Sequence, residues 1–273
     1  MPIRRVLLDA FGTVFSPREP VFQQYTAVAR QYGLQLEEGR VKDGFKQAFK
    51  QYAKQHPLYG KHSEPPMQPE AWWRGVIQET FRNAGAAEND YAKVKDDLST
   101  ALLHRFHGRA GYALHCDVLP FLSALRSLSP SPLPPPGVAS NTDPSVFLVL
   151  RDLGVIAGEG GAEEGIREEE VWTTWELEED KKSGRFWEAV LARLRSGPDG
   201  EGLKAEEVLV VGDEVDSDYH APRSIGMRSL LLRRDSEGEH PNAAYEPGPE
   251  DGMDAVRSLE EVVEWIAREN SAQ

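Results

Sequence analysis

Ile3-Arg4-Arg5-Val6-Leu7-Leu8-Asp9-Ala10-Phe11-Gly12-Thr13-Val14 is the stretch that decides how the rest of the chain is read. Its branched apolar run predicts a buried strand, which Asp9 and Gly12 break. Open α/β sheets place their chemistry at the C-terminal ends of strands, and Asp9 falls at such an end. Gly12 permits a sharp turn just beyond that carboxylate. Taken alone, Asp9 reads equally well as a cap for that turn. The groups found at later strand ends separate the two readings.

Working outward, the pattern from Pro17 to about His107 is helical. Val41, Phe45, Ala48, Phe49 and Tyr52 share one helix face, a second helix starts near Pro69, and Leu98, Leu102, Leu103 and Phe106 form a third stripe. A helical block inserted straight after a catalytic-looking strand end makes a natural lid, although periodicity alone also fits a plain helical half of the core. Within it, the Trp72-Trp73 pair reads as lid packing.

The later segments alternate. A helix capped by Asp117 runs to Leu128, and the proline-rich stretch Ser129–Pro136 connects it to a short strand, Gly137-Val138-Ala139. Ser140 and Asn141 end that strand, and Pro144 opens a helix through Leu153, so Ser140 sits where an anion is readily held. Val171–Trp175 predicts a strand, followed by an acidic run to Asp180-Lys181-Lys182 and a helix over Arg185–Arg195. Val208-Leu209-Val210-Val211-Gly212 is the clearest parallel-sheet strand, with Asp213, Glu214, Asp216 and Asp218 crowding its end. Arg228–Leu232 gives one more strand and Leu259–Arg268 the last helix. This alternation predicts a doubly wound α/β core. Its strand ends carry an aspartate, a serine, a lysine and an acidic cluster. Phosphoryl transfer needs those parts: a nucleophile, an anion clamp, a cation and a metal site.

Composition sets the bounds. At 273 residues and a formal net charge of −14, the chain is expected to bind neither nucleic acid nor an anionic membrane surface. One cysteine, Cys116, excludes an internal disulfide and fits a reducing compartment; it reads as a buried, inert thiol. No apolar run reaches membrane-span length, and the strand-like start carrying Asp9 is not a signal peptide. The expectation is a cytoplasmic protein, with the nucleus not excluded, working as a monomer or homodimer. The stretches 158–170 and 234–253 and the run Glu168–Glu170 read as solvated loops, and His104, His107 and His115 as packing or surface histidines.

Four motifs, in order over nearly the whole chain, resemble those of the haloacid dehalogenase superfamily: Asp9-Ala10-Phe11-Gly12-Thr13, Ser140-Asn141, Lys181, and Gly212-Asp213-Glu214-Val215-Asp216-Ser217-Asp218. The resemblance implies a Rossmann-like, doubly wound parallel-sheet core over 1–15 and 112–273, with an inserted all-helical cap of the C1 type over 16–111. It implies a hydrolase acting on a small phosphorylated metabolite, with Asp9 as nucleophile and an aspartyl-phosphate intermediate. Mg²⁺ would be held by Asp9, the backbone carbonyl of Phe11 and Asp213, with Asp218 supporting it or ligating. Lys181 would balance the charge; Lys182 is a one-residue alternative, because Lys182-Ser183-Gly184 stands where the family has Pro-Asp-Pro. Ser140, Asn141, Gly12 and Thr13 would hold the phosphoryl group.

One position departs from the pattern. The family's phosphatases carry a second aspartate two residues after the nucleophile, and here that residue is Phe11. General acid–base help is worth roughly 10²–10⁴ in rate, so its loss matters. Glu214 or a lid residue would have to compensate. Two alternatives therefore stand beside the phosphatase-type hydrolase: a catalytically impaired homologue acting through binding, and a 2-haloacid dehalogenase, whose first motif begins in the same way and needs no second aspartate.

Overall fold

Six parallel strands carry the core of the computed structural model, which describes residues 1–129, 132–157, 165–234 and 252–271. In the first half of the chain lie β1 (Arg5–Leu8), β2 (Phe15–Pro17), α1 (Val21–Gln31), α2 (Glu38–Gln55), α3 (Pro69–Asn83), α4 (Glu88–Arg105), β3 (Tyr112–Leu114) and α5 (Val118–Arg126). They are followed by β4 (Gly137–Ser140), α6 (Ser145–Asp152), β5 (Val171–Thr173), α7 (Thr174–Leu177) and α8 (Gly184–Ser196). The chain closes with β6 (Val208–Gly212), α9 (Ala221–Arg223), β7 (Arg228–Leu232), β8 (Ala255–Val256) and α10 (Leu259–Ser271).

The sheet order is β5-β4-β1-β6-β7-β8, so the chain starts at the centre, winds one way, and returns to wind the other. The strand order reverses beside β1, which is where such sheets open a crevice for ligands. Every residue of β1 and β6 is buried, because helices cover both faces. The two-residue period sorts their side chains. Val6 and Leu8 join the layer containing α5, α6 and α10, while Leu7, Val208 and Val210 join the layer built on α8.

Helices α1–α4 bury a separate core around Tyr25, Val41, Ile77, Phe81, Tyr91, Leu98 and Leu102. The chain enters and leaves this helical block through an antiparallel ribbon, Phe15 opposite Leu114 and Pro17 opposite Tyr112. The sequence reading gave Pro17 to a helix; the ribbon takes it, and helix begins only at Val21. No helix among the described residues is long and apolar enough to cross a membrane.

Further differences from the sequence reading have local causes. The strand predicted to Trp175 stops at Thr173, whose hydroxyl accepts the Glu176 N–H and turns the chain into α7. Asp117 precedes α5, but its carboxylate accepts from Leu259 N–H (2.9 Å) and Arg234 (2.7 Å), so it caps α10 instead. Part of the predicted loop 158–170 is outside the described residues, yet its end is ordered: Ile166 bridges Ile156 and is fully buried. Glu170 is also buried, 2.6 Å from the buried Arg5, so that glutamate is not solvated. Cys116 is exposed rather than buried. Of the predicted loop 234–253, positions 235–251 lie outside the described residues.

Candidate active site

Three neighbouring strands end side by side. Asp9 follows β1, Ser140 closes β4 and Asp213 follows β6, and adjacent strands lie about 4.8 Å apart. Asp9 is fixed by its own N–H donating to Val211 O at 2.9 Å. Asp218 arrives from a wide π-type turn, Val215–His220, a geometry that recurs at functional sites. There its carboxylate accepts the Glu214 N–H at 2.9 Å. Two glycines make the convergence possible. A Cβ on Gly12, which has φ +80°, would lie 2.4 Å from an Asp213 carboxylate oxygen, and one on Gly212 would lie 2.3 Å from the Asp218 carboxylate carbon.

Lys181 completes the group. Its Nζ donates to Asp9 Oδ1 and lies 2.7 Å from Asp218 Oδ1. The backbone holding it is tied down by Trp187, whose indole N–H donates to the Lys181 carbonyl at 2.9 Å. Lys182 faces solvent and pairs with Asp216 at 3.2 Å, so of the two candidate lysines only Lys181 reaches Asp9.

Three carboxylates converge, Asp9, Asp213 and Asp218, whose nearest oxygens all lie within 4.8 Å of one another; Lys181 pairs with two of them, and Arg233 donates to the Asp213 carbonyl. Burial, set against attraction to Lys181 and joined by repulsion from Asp218, pushes the Asp9 carboxyl up from 3.8 to about 7. Burial and the Asp9 charge raise Asp213 well above its ordinary value. Burial works against Lys181, but Asp218 and Asp9 outweigh it and keep the ammonium protonated above its usual range. A cluster of three converging carboxylates supplies the hard oxygen donors that a small divalent cation prefers.

The cluster opens into a cavity of about 580 Å³ between the sheet and the helical block. Asp9, Phe11, Gly12, Ser140, Asn141, Lys181 and Asp213 all reach it. Thr13 does not. It is fully buried, because the Gly12 turn sends Val14 N–H back to Ala10 O and carries the threonine behind the wall. Gly12 also differs from expectation as a phosphoryl contact: its N–H already donates to Phe15 O at 2.9 Å. The role left to Gly12 is the space it clears for Asp213.

Several wall residues were not legible in the sequence. Trp73 reaches the cavity and its indole N–H donates to Asp143 Oδ2 at 2.7 Å, so only Trp72 of the pair is simple packing. Tyr59 O–H donates to Asn141 O at 3.2 Å, and His107 also lines the wall. Asp143 carried a partial signal: its place before Pro144 is that of a cap, and Oδ1 accepts Ser145 N–H at 2.8 Å. Arg234 carried none. It joins Asp117 to Thr13 O (2.8 Å), bracing the loop that follows β1. Leu58, Tyr59 and Glu178 are the non-glycine residues with positive φ among those described, and all lie at the seam where Lys61 and His62 each meet Glu178 at 2.8 Å.

Residues 180–261 match the family model described as HAD-hydrolase-like. The chain is 28% identical over 249 residues to an uncharacterized protein of Saccharomyces cerevisiae, covering 89% of this chain and 76% of that one. It is 29% identical over 241 residues to haloacid dehalogenase-like hydrolase domain-containing protein 3 of Danio rerio, covering 88% and 89%. Among solved structures, an L-2-haloacid dehalogenase superposes with a TM-score of 0.66 at 15% identity, covering 97% of this chain and 99% of that one. A HAD hydrolase of Bacillus subtilis bound to magnesium superposes with a TM-score of 0.55 at 16% identity, again over 97% and 99%. Identities this low speak to the fold alone.

Proposed function

We propose that this chain, whose residues 180–261 match a HAD-hydrolase-like model and which is similar over most of its length to a haloacid dehalogenase-like hydrolase domain-containing protein, is a Mg²⁺-dependent hydrolase of a small phosphate monoester. The observation that carries this reading is the meeting of Asp9, Asp213, Asp218 and Lys181 at neighbouring strand ends. Asp9 attacks phosphorus and forms an aspartyl-phosphate, which water then opens. Lys181 favours the ionised form of Asp9 and orients it. Ser140 and Asn141, at the β4 end, hold the phosphoryl oxygens. Asp9, Asp213 and the Phe11 carbonyl would hold Mg²⁺, with Asp218 placing Lys181 and completing the acidic set. Bound there, the ion neutralises charge on the phosphoryl oxygens.

The test is hydrolysis of a panel of phosphate monoesters by the purified protein, with and without Mg²⁺, beside Asp9→Asn. Turnover that needs the metal and disappears in the variant is expected. Silence of both proteins on every ester would instead support a homologue that acts through binding, which Phe11 favours. Phe11 also favours halide displacement from a 2-haloacid. However, no arginine among the described residues lines the cavity to take the acid's carboxylate. Halide release from 2-chloropropionate without Mg²⁺ would establish that alternative.

A further inference from the structure

We infer that the bond cleaved is the ester of an aromatic alcohol: the substrate is an aryl phosphate, and its leaving group departs as a phenolate without being protonated by the protein. This inference rests on the hydrolase proposed above and assigns its substrate class.

Two independent observations point the same way. The first is that position 11, two residues after the nucleophile, holds a phenylalanine, which has no proton to give. Phe11 presents a ring, packed edge-on against Phe15 at 5.1 Å and Tyr112 at 5.2 Å. Of the other proton-bearing groups among the described residues, Lys46 on α2 lines the helical side of the cavity. Asp143 accepts an N–H on each oxygen, from Ser145 and Trp73. Tyr59 already donates to Asn141 O, and burial pushes the phenols of Tyr25 and Tyr59 far up. Lys181 is held between Asp9 and Asp218. Burial lowers His107 below its ordinary value, which leaves it neutral at pH 7. Glu214 accepts from Ser217 at 2.7 Å and is exposed to water. An alkoxide leaves slowly without an acid, whereas a phenolate is weakly basic, with a conjugate acid near pKa ~10.

The second observation is the shape and character of the wall. The helical block lends the cavity Phe45, Phe49, Tyr59, Trp73, Ile77 and Phe106. Among the described residues, it adds as polar groups, besides the tyrosines, Lys46, His107 and the Trp73 indole N–H, which Asp143 already accepts. Hydroxyls of a sugar or nucleoside leaving group would meet carbon there, at about 1–3 kcal/mol for each one left unpaired. A flat aromatic ring would instead pack edge-on or offset against the existing rings. At about 580 Å³ the space holds a one- or two-ring body comfortably.

The chemistry balances without an added acid. An Asp9 carboxylate oxygen bonds to phosphorus as the phosphorus–oxygen bond of the ester breaks, and that electron pair leaves on the phenolate, which takes a proton from water after release. A water oxygen then bonds to phosphorus, the pair of the acyl phosphate bond returns to Asp9, and the water's protons go to the phosphate product. With no base at position 11 the second step is the slow one, so the aspartyl-phosphate accumulates.

Rapid-quench measurements with Mg²⁺ on 4-nitrophenyl, phenyl, benzyl and glycerol phosphates test this directly. Benzyl phosphate keeps an aromatic ring but must release an alkoxide. The nitrophenyl and phenyl esters should give a burst of alcohol near one per active site. Benzyl phosphate should react about 10²-fold or more slowly than phenyl phosphate, and glycerol phosphate more slowly still. Phe11→Asp should raise the burst-phase rate of benzyl alcohol release about 10²-fold while moving the burst-phase rate of phenol release by less than about tenfold. Should that variant fail to fold, the wild-type series decides. Benzyl phosphate reacting within about tenfold of phenyl phosphate would overturn the inference, because some group would then be supplying the proton. So would loss of that benzyl activity in Glu214→Gln, or a preference for glycerol phosphate; either leaves the hydrolase standing. Silence on all four esters would remove the hydrolase itself, and the inference with it.

Discussion

Two buried ionic clusters sit at opposite ends of the same sheet, and they are composed differently. Where the strands begin, Arg5 and Arg167 face Glu170 and Asp199, two cations against two carboxylates, at 2.6–3.5 Å. Where the strands end, three carboxylates converge, Asp9, Asp213 and Asp218, with Lys181 against Asp9 and Asp218 and Arg233 donating to the Asp213 carbonyl. A balanced buried pair satisfies its own charges and holds two segments together. Converging buried carboxylates repel one another, and burial together with that repulsion raises the proton affinities of Asp9 and Asp213. Crowding of like charge distinguishes the candidate site from the structural end.

Substitutions should separate the ends. Asp9→Asn should cost turnover at least about 10⁴-fold, as loss of a nucleophile does, while leaving the fold intact. Without metal, the same variant should be more stable than the parent. The Asp9 carboxyl is pushed up from 3.8 to about 7, so the parent loses stability as pH rises across that interval and the variant does not. Thermal melts at pH 4, 5.5 and 7 in chelator check this: a gap that fails to widen with pH contradicts it.

At the other end the effects should reverse. Arg5→Met leaves Glu170 buried without its closest cation and should cost about 3–5 kcal/mol, seen as a lowered denaturation midpoint. Turnover of the folded fraction should stay within about twofold, since the change lies at the far edge of the sheet. Replacing Glu170 by Met as well should recover part of the loss. No recovery would mean that the pair is not what Arg5 contributes.

Mg²⁺ should sharpen the comparison from the solvent side. It should raise the melting temperature of the parent by about 2–4 °C per kcal/mol of binding energy, and Asp213→Asn should abolish the rise. An equal rise in both proteins would place the ion elsewhere. The smallest effect is expected at the seam between the helices and the sheet. Glu178→Gln weakens exposed contacts to Lys61 and His62 and should change the Michaelis constant by no more than about threefold.

The candidate site was largely legible in the sequence. Parallel strands buried on both faces are unbroken apolar runs, so β1 and β6 announce themselves, and Asp9 and Asp213 follow directly. Choosing Lys181 over Lys182 needed the structure, because a loop's direction depends on how α7 and Trp187 anchor it. The structural end was not legible. Arg5 meets Glu170 across 165 residues of chain, and the acidic run holding that glutamate reads as surface. The cavity wall was not legible either. Helical periodicity marks Tyr59 and Trp73 as apolar, without saying that one meets Asn141 and the other Asp143.

The most direct test of the central claim is the mass of the protein's peptides after mixing with 4-nitrophenyl phosphate and Mg²⁺ and rapid acid quench. The account predicts one added phosphoryl group on the peptide carrying Asp9, absent in Asp9→Asn. A phosphoryl group on another peptide, or turnover with no adduct at any time after mixing, would contradict it.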